Sequence, residues 1–218
     1  MPDTVGPVAE LRLEAEAVRI RRGWNVLIRD FTWTHHSGEV AWVVGENGAG
    51  KTSLLRVLAG RARPSAGRIR WCGPAGRSPR VLYYHPAMRL PPEARLEDWQ
   101  EAMSVLIGRE ALQSAASAIA PAGVARRRRL GVLSTGESKR VLLASLLSQP
   151  AEFLILDEPY AHLSEGAREA LTAVLAERAR RAVVVVATHQ GVPAGAGGPR
   201  IRLDRDHVEP VDVGEVVS

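Results

Sequence analysis

The stretch Gly45-Glu46-Asn47-Gly48-Ala49-Gly50-Lys51-Thr52 constrains this chain more than any other part of it. A short apolar run, Val40 to Val44, precedes it, and Leu54, Leu55 and Leu58 follow at helical spacing before Gly60. The pattern is G-x-x-x-x-G-K-[ST], a phosphate-binding turn between strand and helix. Glycines 45, 48 and 50 let backbone N–H groups curl around an anion. The helix beyond directs its positive end at the same point. Lys51 adds a point charge for terminal phosphates, and Thr52, followed by Ser53, supplies a hydroxyl suited to Mg²⁺. Of 29 Lys and Arg residues only Lys51 and Lys139 are lysines, so a lysine at this position stands out. The motif implies nucleoside triphosphate binding without naming the enzyme.

Three further segments carry chemistry. Phe153-Leu154-Ile155-Leu156-Asp157-Glu158-Pro159 reads as a buried strand that delivers Asp157 to the edge of a parallel sheet, where ligands sit. Asp157 suits a metal held largely through water. Glu158 suits polarisation of a water attacking the γ-phosphate. Leu133-Ser134-Thr135-Gly136-Glu137 opens a helix, with Ser134 as its N-cap and amides exposed at a second helix start. Taken alone it is commonly just a cap. Thr188-His189-Gln190 follows the apolar run 182–187, so His189 stands at the same sheet edge, where it suits hydrogen bonding to a γ-phosphate.

Around these motifs the chain reads as α/β. Residues 9–20 alternate, with Leu11, Leu13, Ala15 and Ala17 on one side, and residues 25–34 form a second strand. Strands are predicted over 68–71 and 80–84. From Pro91 the texture turns to Ala, Leu and Glu, giving two predicted helices, 95–107 and 110–120, in an inserted helical subdomain over 91–134 of a single 1–218 domain. Helices over 136–148 and 165–181 then alternate with apolar strands, and a last hairpin spans 201–203 and 207–211, as in a mostly parallel sheet. A chain of 218 residues with 45% hydrophobic content buries about 70% of its unfolded surface. No apolar run nears the ~20 residues of a membrane span, and the first residues lack the features of a secretory signal. Cys72 has no partner for an internal disulfide, so a reducing compartment is expected. The net charge of +5 is modest and requires neither nucleic acid nor an anionic surface.

The phosphate loop, LSTGE, ILDEP and TH, in that order, resemble the nucleotide-binding subunit of ABC (ATP-binding cassette) transporters over nearly the whole chain. The resemblance implies a P-loop ABC ATPase core with an antiparallel N-terminal β subdomain. It also implies ATP and Mg²⁺ as ligands and a head-to-tail dimer with a second copy or a paralogous cassette. In such a dimer Ser134 and Gly136 would contact the nucleotide bound by the partner, and integral membrane permease subunits would receive the motion. Attachment would be peripheral, at the cytoplasmic face of the inner membrane, with no nucleic acid partner. Some positions depart from the family pattern. The glutamine that follows the strand before the helical subdomain is absent from Tyr83-Tyr84-His85-Pro86. His85 occupies its place near the metal, or one residue is missing. The tyrosine that stacks on adenine falls near Arg22, and either Trp24, a nearby aromatic, or an arginine could take its place. Ala161-His162-Leu163-Ser164 lacks the carboxylate that links the two sites.

The short helical subdomain and the THQ text look most like the haem-exporter ATPase of cytochrome c biogenesis. Another small bacterial exporter ATPase, for a drug, lipid or peptide, remains an alternative. So do a soluble ABC protein and a nucleotide-binding module without turnover. The arginine run 126–129 reads as a solvated edge. Trp33, Trp42, Trp71 and Trp99 read as packing residues, Trp99 being the one to test in a partner groove.

Overall fold

The computed structural model describes residues 11–73, 78–107, 119 and 126–204, and the backbone of 207–211. Two sheets form the frame. A three-stranded antiparallel sheet runs β2-β1-β4, with β1 Arg12–Arg22, β2 Asn25–His36 and β4 Ala66–Cys72. A six-stranded sheet runs β5-β6-β7-β3-β8-β9, with β3 Val40–Gly45, β5 Val81–Tyr84, β6 Phe153–Asp157, β7 Val183–Thr188, β8 Arg200–Asp204 and β9 His207–Val211. All its pairings are parallel except β8 with β9. The longer α-helices among the described residues are α1 Lys51–Leu58, α2 Leu96–Ile107, α3 Thr135–Leu147 and α4 Glu165–Ala179.

The apolar runs are continuous because both faces of the large sheet are covered. Ala41, Val43, Phe153, Ile155, Val183 and Val185 face a core shared with the antiparallel sheet and α1. Their neighbours Val40, Trp42, Leu154, Leu156, Val184 and Val186 face a second core built with α3 and α4. Alternate residues of one strand thus serve two cores, the two-residue period of a pleated strand.

In β1 the predicted alternation breaks. Leu13 and Ala15 are buried as expected, but Ala17 is exposed and Val18 and Ile20 are buried instead. The register shifts against β2 between Ala15 and Val18, and Ala17 sits at φ 46. A bulge inserts one residue there and moves the inward face by one position.

Trp99 is half-buried in the second core and donates its indole N–H to the Ser145 hydroxyl at 2.8 Å. Packing, rather than a free groove, accounts for it. The arginine run is exposed, with Arg128 against Glu137 and Arg129 against Glu93. The helix predicted over 110–120 falls outside the described residues apart from Ile119, which is buried. No helix among the described residues is long and apolar enough to cross a membrane.

Candidate nucleotide site

Four adjacent parallel strands end side by side. Val44 pairs with Thr188, Ala187 with Asp157, and Leu156 with Tyr84. The residues that follow, Gly45, His189, Glu158 and His85, therefore emerge along one carboxyl edge of the sheet, the edge where α/β proteins bind ligands.

The loop from Gly45 to Gly50 leaves β3 under close backbone packing. A Cβ on Gly45 would lie 2.2 Å from the Leu203 carbonyl oxygen, so only glycine fits. Gly50 caps α1 at φ 103 with no side-chain hydrogen bond, leaving the helix start open. Lys51 is buried and donates to the carbonyls of Gly45 (2.7 Å) and Glu46 (3.0 Å), and its Nζ lies 3.7 Å from Glu158. Asn47 and Gly48 form the turn between them, and Ala49 is buried against the core.

Thr52 donates its hydroxyl to Asp157 Oδ2 at 2.7 Å. Asp157 is 1% exposed, and its Oδ1 has no hydrogen-bond partner. Burial raises the Asp157 pKa, against the lowering effects of the Thr52 bond, Lys51 and His85. A buried carboxylate with one oxygen free fits a hard cation. Among the described residues no group of three or more His, Cys, Asp or Glu side chains is arranged to hold a metal ion by itself. Mg²⁺ is commonly held by one or two carboxylates, waters and substrate phosphates, a set that Asp157 and Thr52 fit.

Glu158 sits at φ 50, and its N–H donates to the Ala187 carbonyl at 3.0 Å. Its Oε2 meets His189 Nδ1 at 2.7 Å and accepts from the His189 N–H at 3.3 Å. Lys51, Thr52, Asp157, Glu158 and His189 are thus brought together as the sequence predicts. His85 lines a cleft of about 660 Å³ with Thr52, Tyr83, Asp157 and Glu158. Trp24, 92% exposed, stands at the β1–β2 turn, and Leu27, shortly beyond it, packs beside Gly50.

Ser134 and Gly136 do not join this cluster. Ser134 caps α3: its hydroxyl accepts from the Glu137 N–H, and its own N–H donates to the Glu137 carboxylate at 2.8 Å. A Cβ on Gly136 would sit 3.1 Å from the His162 carbonyl. The Ser-x-x-Glu pattern was a readable sign of this capping box.

Sequence reasoning missed the role of Lys139. It is buried and donates to the carbonyls of Glu158 (2.8 Å) and Ala161 (2.9 Å), with its Nζ over the Tyr84 ring. Burial pushes its pKa down to about 8, with the Glu158 charge acting in the opposite direction. Its rarity in an arginine-rich chain was the available signal.

Residues 28–161 match the family described as ABC transporter. The chain belongs to the ABC transporter family. It is an ATP-hydrolysing subunit of that family. It is 35% identical to the cytochrome c biogenesis ATP-binding export protein CcmA of Rhizobium meliloti, over 87% of this chain and 96% of that protein. The protein of that name from Mannheimia succiniciproducens is 31% identical, over 85% and 91%. The fold matches the solved structure of an ATP-binding subunit of an ABC transporter with a TM-score of 0.74 at 19% identity, covering 92% of this chain and 90% of the other.

Proposed function

We propose that this chain is the ATPase of a haem-handling exporter in cytochrome c biogenesis, working as a head-to-tail dimer under a membrane permease. The names of its relatives, each matched over most of its length, support the pathway. The observation that carries the chemistry is the convergence of Lys51, Asp157 with its free Oδ1, Glu158 and His189 at one sheet edge.

ATP is the substrate. Its phosphates lie in the loop from Gly45 to Ser53, against the open start of α1 and the Lys51 ammonium. Thr52 and Asp157 would hold Mg²⁺, which would supply charge neutralisation to the phosphates, and His85 lines the same cleft. Trp24 offers its exposed ring to adenine. Glu158 orients the attacking water and accepts its proton. His189, bonded to Glu158, steadies the γ-phosphate. Ser134 and Gly136 serve the nucleotide of the partner copy, and the segment around His85 with residues 91–134 passes the motion to the permease at the cytoplasmic face of the inner membrane.

Glu158→Gln removes the proton acceptor and keeps the side chain's size. We expect ATP turnover to fall by about 10²–10⁴-fold while ATP is retained and the chain runs as a dimer in light scattering. A monomer under saturating Mg-ATP would count against the paired arrangement. The same variant, tagged and recovered from solubilised native membranes with ATP, tests the pathway by mass spectrometry. Recovery of cytochrome c assembly subunits supports it, and recovery of an unrelated permease replaces the cargo while keeping the ATPase.

A further inference from the structure

Glu158 and His162 bound a short loop after β6, and both hold left-handed conformations at φ 50 and φ 61. Non-glycine residues rarely adopt that region without support from their surroundings. The N–H of Glu158 is held from β7 by the Ala187 carbonyl. Its carbonyl and that of Ala161 are held together from α3, by the single ammonium of Lys139. This lysine belongs to the helix that Ser134 caps, and Gly136 of the same helix lies against the His162 carbonyl.

We infer that Lys139 is a positioning residue for ATP hydrolysis, clamping two carbonyls of the loop so that the Glu158 carboxylate stays aimed at the phosphate end of the site. The inference rests on Glu158 as the proton acceptor. Lys139 itself touches no reacting atom, since its partners are backbone carbonyls and the Tyr84 ring. Its clamp ties the Ser134 helix to the hydrolytic loop, so a shift of α3 is transmitted to Glu158. Without the ammonium, two partly buried carbonyls lose their donor and the loop relaxes from its left-handed ends.

The test is steady-state ATP hydrolysis by the purified full chain carrying Lys139→Met, which keeps the length and removes the donor. Lys139→Gln provides a second, polar variant should methionine prevent folding, and thermal melts accompany both. The clamp predicts a fall in kcat of about ten- to hundredfold with KM for ATP within about twofold. It also predicts that Lys139→Met adds little to the loss in a Glu158→Gln background, because the two residues act as one unit. Unchanged kcat overturns the inference, as does KM rising in step with falling kcat, or an equal fold-loss in both backgrounds. Normal turnover by Glu158→Gln alone removes the proton-acceptor assignment beneath it, and that failure is visible without touching Lys139.

Discussion

The two helix starts that carry motifs are built in opposite ways. The start of α1 is open: Gly50 offers no side-chain cap, and the first turn holds no acidic residue. The start of α3 is closed by its own groups, with the Ser134 hydroxyl on the Glu137 N–H and the Glu137 carboxylate on the Ser134 N–H. Both helices point a positive dipole end outward. Only α1 leaves that end free for an added anion, and it has Lys51 folded beside it on two carbonyls. At α3 a resident carboxylate already meets the dipole, with Arg128 at 3.6 Å from it. One start is therefore open to an anion within a single chain. The other is a capped surface whose dipole end is already met by its own carboxylate.

The largest effect that breaks this comparison is at Lys51. Lys51→Ala leaves α1 open but removes the charge beside it. ATP turnover should fall by at least about 10²-fold, read as phosphate release under saturating Mg-ATP. Normal release would mean that the α1 end is not where the chemistry occurs, and the contrast between the two starts would lose its meaning.

Much of this site was legible because its positions follow from short-range rules. The runs through Phe153 and Val183 are buried on both faces, so continuous apolarity marked them as central strands. Their ends then had to deliver Asp157 and His189 to one edge. The bulge at Ala17 was not legible, because it depends on the register of β1 against β2 rather than on any local residue preference. The clamp from Lys139 was hidden for a similar reason. It joins α3 to a loop well beyond it in sequence, and a side chain's distant partner leaves no trace in spacing. His85 lay between, since its residue type was visible but its approach to Asp157 needed the parallel pairing of β5 with β6.

Glu137→Gln sharpens the comparison with a smaller effect. Glutamine keeps an acceptor for the Ser134 N–H and so preserves the capping box, while the charge that opposes a phosphate disappears. The KM for ATP should fall on the order of two- to fivefold, the scale of one charge at a helix start. The gain belongs to the paired state, so it should vanish in dilute protein that stays monomeric. An unchanged KM at concentrations where the dimer forms would show that no phosphate approaches Ser134.

The same variant carries the smallest expected effect, in the pH dependence of stability. The Ser134 backbone N–H, with the Ser134 hydroxyl second, holds the Glu137 carboxyl below its ordinary value of 4.5. Between that lowered value and 4.5 the unfolded chain binds more protons at this group than the folded chain does. The stability it contributes is therefore complete above 4.5 and is lost as pH falls through the folded value. Glutamine at 137 does not titrate, and α1 has no first-turn acid to titrate in its place. Thermal melts of the two proteins should differ by a constant amount at neutral pH, and the difference should shrink as the medium is acidified below 4.5. Because the carboxylate is partly exposed, added salt should narrow the neutral-pH difference as well. A difference that ignores both pH and salt would mean that the carboxylate's charge contributes nothing to the cap, and the two helix starts would then differ in hydrogen bonding alone.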